Sequence, residues 1–158
     1  MPPDPERREN SMKTELAVVK IVRLDADIAR VWEALTSPAL TKKYLFGCEV
    51  ISEWAIGSSI IWKGSREGQE SVFVKGKVVR IVPGRLLQFT TFDPHSGLED
   101  VPANYTTVTF QLSPEGRHTL LYVRQGDYAG VANGEKRYSE TVGAWDFALK
   151  GLKDLLGT

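Results

Sequence analysis

The chain has 158 residues, 42% of them hydrophobic, and its 20 basic side chains offset 20 acidic ones to a formal net charge of zero. That length suits one domain with a core of its own, and with no basic run longer than Lys42-Lys43 the chain lacks the electrostatic footprint of a nucleic-acid-binding surface. No apolar run approaches the ~18–20 residues a membrane-spanning helix needs, and the polar, Pro-rich N-terminus does not read as a signal peptide.

Residues 1–12 open with MPPDPERRENS, which has no apolar periodicity, so a disordered tail is expected there and a single domain over residues 13–158. From Thr14 to Leu24 the density of Val, Ile and Leu favours a first strand. Its two faces both carry apolar residues, and periodicity does not say which points inward. The period then changes: Ile28, Val31, Trp32 and Leu35 fall at i, i+3, i+4 and i+7, one face of a helix. Asp25 or Asp27 can cap its free amide groups. Ser37-Pro38 ends that helix and starts a second short one, which should carry Leu40, Tyr44 and Leu45 before Gly47 stops it.

Strands and turns follow. Cys48 to Trp54 reads as a strand, Gly57-Ser58 as a turn, and Ser59 to Lys63 as the next strand, with GSREGQ as a hairpin loop. Val72 to Val82 and Arg85 to Phe92 flank the tight turn Pro83-Gly84, in which proline presets one dihedral and glycine accepts the next. A longer loop runs from Asp93 to Ala103, and two further strands flank Ser113-Pro114-Glu115-Gly116. Alternation sets faces here: Val108, Phe110 and Leu112 together, Leu87 with Phe89, Ile60 with Trp62, Leu121 with Val123. A sheet with one apolar face and one wet face needs a cover on the apolar side. The cover is the C-terminal segment, about Arg137 to Leu156, where Tyr138, Val142, Trp145, Leu149, Leu152 and Leu156 form one helical stripe. The expected class is therefore α+β: an antiparallel sheet around a long C-terminal helix, with two short helices after the first strand.

That element order resembles the START-like (SRPBCC, helix-grip) superfamily. In detail, Val31-Trp32-Glu33-Ala34-Leu35-Thr36-Ser37-Pro38 resembles the "VW.ALT.P" signature of bacterial proteins similar to the activator of heat-shock-protein-90 ATPase. Tyr44-Leu45-Phe46-Gly47, the Gly57-Ser58 turn with Ile60 and Trp62, Gly76 to Pro83 with Leu86, and Asn104 to Phe110 as a "TV.F.L" strand add to it. So do Trp145, Leu149, Leu152-Lys153 and Leu155. The match covers roughly residues 14–156 and implies a curved sheet gripping the last helix. Most of these residues are aromatic, aliphatic, Gly or Pro, so they specify a shape rather than a reaction. The superfamily implies binding of lipophilic small molecules, with aromatases or cyclases among its members. The activator's additional N-terminal domain has no counterpart here, so co-chaperone activity is not implied.

Trp62, Phe89, Phe110, Trp145 and Leu149 should converge between sheet and helix, with Val142 on the same stripe and Tyr138 and Thr141 as polar groups beside them. Two readings stand: these eight residues line a cavity for a small hydrophobic or amphipathic molecule, or they fill a core. Cys48 is the one cysteine, so no intrachain disulfide exists, a reducing cytoplasmic location is the default, and a buried inert thiol is expected. His95 and His118 read as solvated loop residues without the partners a catalytic base needs. Two histidines and one cysteine do not make a zinc site, Asp93, Glu99 and Asp100 read as a solvated turn, and Gly57-Ser58-Ser59 lacks the lysine of a phosphate loop. No cofactor and no catalytic residue is called. Phe147 lies off the apolar stripe and is read as exposed, either alone or as a homodimer contact. Three functions follow: a non-enzymatic binder of a small apolar molecule, an enzyme of cyclase or hydrolase type using the same cavity, or a protein-interaction module.

Overall fold

A computed structural model describes residues 15–157; the expected tail, residues 1–12, lies outside the described residues. β-Branched residues make β1 (Val18–Leu24), after which Asp27 caps α1 (Ile28–Thr36) by accepting from the Arg30 amide at 2.9 Å. Val31, Ala34 and Leu35 form the buried side of that helix. Pro38 opens α2 (Pro38–Thr41) at a position where its missing N–H costs nothing. This helix is one turn long, shorter than expected, and the chain reaches Tyr44 and Leu45 through turns. Both are buried all the same, because the Tyr44 hydroxyl donates to the Ala34 carbonyl at 2.6 Å and anchors the segment to α1.

The sheet has seven antiparallel strands in the order β1-β7-β6-β5-β4-β3-β2. Its members after β1 are β2 (Glu49–Ser52), β3 (Ser59–Arg66), β4 (Gln69–Val82), β5 (Leu86–Thr91), β6 (Thr106–Glu115) and β7 (His118–Gly126). Six of them run as a meander, and β1 closes the far side by pairing Val18 with Gln125 through to Leu24 with Thr119. Two turns differ from expectation. The GSREGQ loop shrinks to Glu67-Gly68, both at positive φ (52° and 79°), so that Arg66 pairs with Gln69. The later turn moves from Ser113–Gly116 to Gly116-Arg117, and Pro114 and Glu115 pair with Thr119 and His118. In both hairpins the ladder runs past the core into solvent, where polar side chains read as loop although their backbones remain paired.

Register shifts at Trp62/Lys63 and at Val78/Arg80 mark bulges, which bend strands and raise local twist. Gly76 serves the same curvature: a Cβ there would stand 1.7 Å from the Thr90 carbonyl oxygen. The outer face is less wet than expected, since Val19, Ile21, Val79 and Val82 are exposed. Across the inner face lies α3 (Gly134–Leu156), which begins three residues before the expected Arg137 and buries Trp145, Ala148, Leu149 and Leu152. These pack with Val18, Leu24, Val31, Leu35, Ile60, Leu87, Phe89, Val108, Phe110, Leu121 and Val123 in one core. The architecture is the α+β helix-grip arrangement expected from the sequence.

Candidate functional site

The C-terminal half of α3 is packed onto the sheet, but its N-terminal half is not. Tyr138, Thr141, Val142 and Ala144 are only half-buried, whereas Trp145, Ala148 and Leu149 are buried. Beside that half a cavity of about 420 Å³ opens against the inner sheet face and the loop that follows β5. This volume falls within the range of small-molecule sites. Its apolar wall includes Leu45, Cys48, Trp62, Phe73, Val108 and Trp145, and its rim includes the exposed residues Phe46, Asp93, Asn133, Lys136 and Glu140.

The eight residues expected to converge are divided by depth. Trp62, Thr141 and Trp145 stand on the cavity wall. Phe89, Phe110 and Leu149 lie beneath it, around a void of about 10 Å³, with Phe89 5.9 Å from Phe110 and Phe110 edge-on to Trp145 at 5.7 Å between ring centroids. Trp62 and Trp145 also border that void and meet edge-to-face at 6.4 Å, so this tryptophan pair separates packed core from open cavity. Tyr138 and Val142 pack half-buried against the core, Tyr138 edge-on to Tyr128 at 6.4 Å. Helical periodicity identifies the face of α3 but not how far along its axis the sheet stays in contact.

One side of the wall is polar and uncharged. Gln125 Nε2 donates to the hydroxyls of Thr91 (3.3 Å) and Thr106 (3.1 Å), and those two hydroxyls lie 2.9 Å apart. Trp145 Nε1 donates to Gln125 Oε1 at 2.8 Å, and the Tyr128 and Thr141 hydroxyls pair at 2.7 Å. Thr91, Thr106, Gln125 and Tyr128 were not singled out from the sequence. A signal for three of them was present: Thr91, Thr106 and Gln125 each occupy the inward phase of an alternating strand, in line with Phe89, Val108 and Val123. A polar residue at an inward position must find a partner or a ligand. Tyr128 sits in a loop, where no periodicity points to it.

The two buried ionisable groups of the wall, Cys48 and Tyr128, stay neutral near pH 7. Burial pushes the Cys48 thiol up to about 11, and burial also raises the Tyr128 phenol. Charges gather at the rim, where Lys136 faces Glu140 at 4.0 Å. Arg137 donates to the Asn104 (2.9 Å) and Ala132 (3.4 Å) carbonyls and sits 5.7 Å from the Tyr128 ring centroid. Neither histidine is on the wall: His95 contacts the Ser71 hydroxyl at 3.1 Å, and His118 contacts Asp25 at 3.4 Å. Asp100 pairs with Lys75, which holds its carboxyl below the usual range, and accepts from the Tyr105 hydroxyl at 2.7 Å. Among the described residues no three His, Cys, Asp or Glu side chains gather as metal ligands would.

A curved antiparallel sheet gripping one long C-terminal helix, with a cavity between them, defines a START-like protein. The family described as "Activator of Hsp90 ATPase homolog 1-like protein" matches residues 25–157, and the chain belongs to that family. A solution structure of the protein ChR145 from Cytophaga hutchinsonii is similar at 32% identity, covering 90% of this chain and 94% of that one, with a TM-score of 0.73. CalU16 from Micromonospora echinospora has 21% identity over 89% of this chain and 76% of that one (TM-score 0.66). The Aha1 dimer from Colwellia psychrerythraea has 18% identity over 89% of this chain and 95% of that one (TM-score 0.67). Those two likenesses are of fold alone. No curated relative matches the chain. No helix among the described residues is long and apolar enough to cross a membrane.

Proposed function

We propose that this protein binds one small amphipathic organic molecule in the cavity under the N-terminal half of α3, without chemically changing it. The observation that carries this is the cavity itself: about 420 Å³, with an apolar wall and a neutral polar side formed by Thr91, Thr106, Gln125, Tyr128 and Thr141. A core meant only for stability would close such a space, since interiors pack as densely as organic crystals. Binding is favoured over a cyclase or hydrolase because the wall holds no histidine and its carboxylates, Asp93 and Glu140, are exposed on the rim. A general acid or base works best with a pKa near the operating pH, and burial moves the enclosed Cys48 thiol and Tyr128 phenol away from it.

The test is to fill the space. Ala144 lines the cavity and is half-buried, so Ala144→Phe should abolish stoichiometric binding of an apolar fluorescent probe while leaving the melting temperature within a few degrees. Probe binding unchanged by that substitution places the probe elsewhere and sinks the proposal. A second contact is proposed for self-association. Phe147 is 63% exposed yet not alone, because Phe46, 48% exposed, stacks on it at 5.2 Å between ring centroids with the rings 19° apart. A homodimer of this chain would bury that aromatic pair. Phe147→Asp should then give a monomer in sedimentation equilibrium, and a wild type already monomeric at high concentration overturns the contact.

A further inference from the structure

One charge on the cavity wall is left uncompensated. Arg137 stands in the first turn of α3, half-buried, with its guanidinium 5.7 Å from the Tyr128 ring centroid. Its terminal nitrogens donate to the carbonyls of Ala132 (3.4 Å) and Asn104 (2.9 Å). Those acceptors are neutral, so they hold the group in place without cancelling its charge, and each terminal nitrogen keeps a second N–H. Among the described residues no carboxylate pairs with Arg137.

The other charges around the cavity are placed differently. Lys136 and Glu140 face each other at 4.0 Å, Asp93 accepts from the His95 amide at 2.8 Å, and all three are exposed. Water screens exposed charges far more than a half-buried one. Tyr128 registers that difference. Burial raises its phenol, hydrogen bonds from Thr141 and Thr106 oppose the rise, and the one charge acting on it is the positive one of Arg137. The polar side of the cavity therefore lies in a positive field. A planar guanidinium with N–H groups to spare matches a carboxylate, and at the open rim such a head keeps part of its water. Trp145 follows about 12 Å further along the axis of α3, which leaves room for an apolar body between head and floor.

We infer that the cavity selects amphiphiles with an anionic head of the carboxylate kind, held by Arg137 at the rim, with the apolar body against Trp62, Phe73 and Val108. This rests on the binding function proposed above. Equilibrium dialysis at pH 7.5 with 2-naphthoate and its uncharged counterpart 2-acetylnaphthalene tests it. The wild type should bind 2-naphthoate about tenfold more tightly than the ketone, the difference between a charge-assisted and a neutral hydrogen bond. Arg137→Gln keeps an N–H donor for the two carbonyls but removes the charge, and it should bring the ratio of the two affinities to one or less. Because both probes report on the same folded variant, a general loosening of the site moves them together and leaves the ratio alone. Arg137→Met serves as a second variant should the first fail to fold, and the wild-type order stands as a test without either. Ala144→Phe should abolish the binding of 2-naphthoate, which locates it in the cavity. Ketone bound as tightly as 2-naphthoate by the wild type, a preference that survives loss of the Arg137 charge, or 2-naphthoate binding that survives Ala144→Phe overturns this inference. Binding of the ketone in the cavity without a preference for 2-naphthoate leaves the cavity function standing, whereas no binding of either probe overturns both.

Discussion

Trp145 is where packed core and open cavity meet, and truncating it measures both. The side chain is 5% exposed, edge-on to Phe110 at 5.7 Å and to Trp62 at 6.4 Å, and its N–H is held by Gln125 at 2.8 Å. Removing a large buried aromatic costs about 3–5 kcal/mol. One side of this indole already faces the cavity and has fewer packing partners to lose, so Trp145→Ala should fall at the lower end, about 3 kcal/mol. For a domain of this size that corresponds to a drop in Tm of roughly 6–12 °C. Trp145→Phe keeps one aromatic ring but loses the rest of the indole and leaves Gln125 Oε1 without its donor, so it should cost less than Trp145→Ala, about 1–3 kcal/mol. Urea unfolding of both variants, followed by far-ultraviolet circular dichroism, gives the two numbers. The enlarged space should also weaken apolar probe binding, because the wall that shapes it is gone. A loss below ~1 kcal/mol for Trp145→Ala, or a larger loss for Phe than for Ala, would refute the division into packed layer and cavity.

Gly76→Ala should be far worse than its size suggests: the added carbon meets the backbone oxygen of Thr90, and neither strand can give without breaking the ladder. Expression of soluble protein, or a loss at or above the ~1–3 kcal/mol of ordinary overpacking, checks this. Cys48 should resist a thiol reagent at pH 8 in the native state and react fully in denaturant, since the thiol is buried and its pKa lies at about 11. The folded state therefore keeps a proton that the unfolded chain releases. Its stabilising effect is complete below the ordinary thiol range and is lost as pH rises toward about 11. Cys48→Ala should flatten that alkaline decline, and an unchanged pH profile counts against it. Thermal unfolding with and without a strong chelator should coincide; a large fall in Tm on chelation would show a structural metal.

Sequence by itself determined the element order, because period-2 alternation from Ile60 to Val123 and a helical stripe from Tyr138 to Leu156 are written in residues a few positions apart. It narrowed the first cap to Asp25 or Asp27, of which Asp27 accepts from Arg30, and it determined the first stop, since Pro38 starts a new helix. It placed Trp145 at the contact between sheet and helix, since its neighbours on the stripe allow no other face. Where the ladders end was not legible, because Ser65, Arg66, Pro114 and Glu115 are paired beyond the core, where side-chain polarity says nothing about backbone bonding. Nor was the stacking of Phe147 on Phe46, which lies 101 positions earlier in a turn where Phe46 and Gly47 both adopt positive φ. Tertiary structure alone decided that Phe89 and Phe110 are core while Trp62 and Trp145 divide core from cavity. Periodicity fixes the direction in which a side chain points. Whether it meets another side chain or open space depends on how sheet curvature and the axis of α3 diverge, and that is a property of every strand at once.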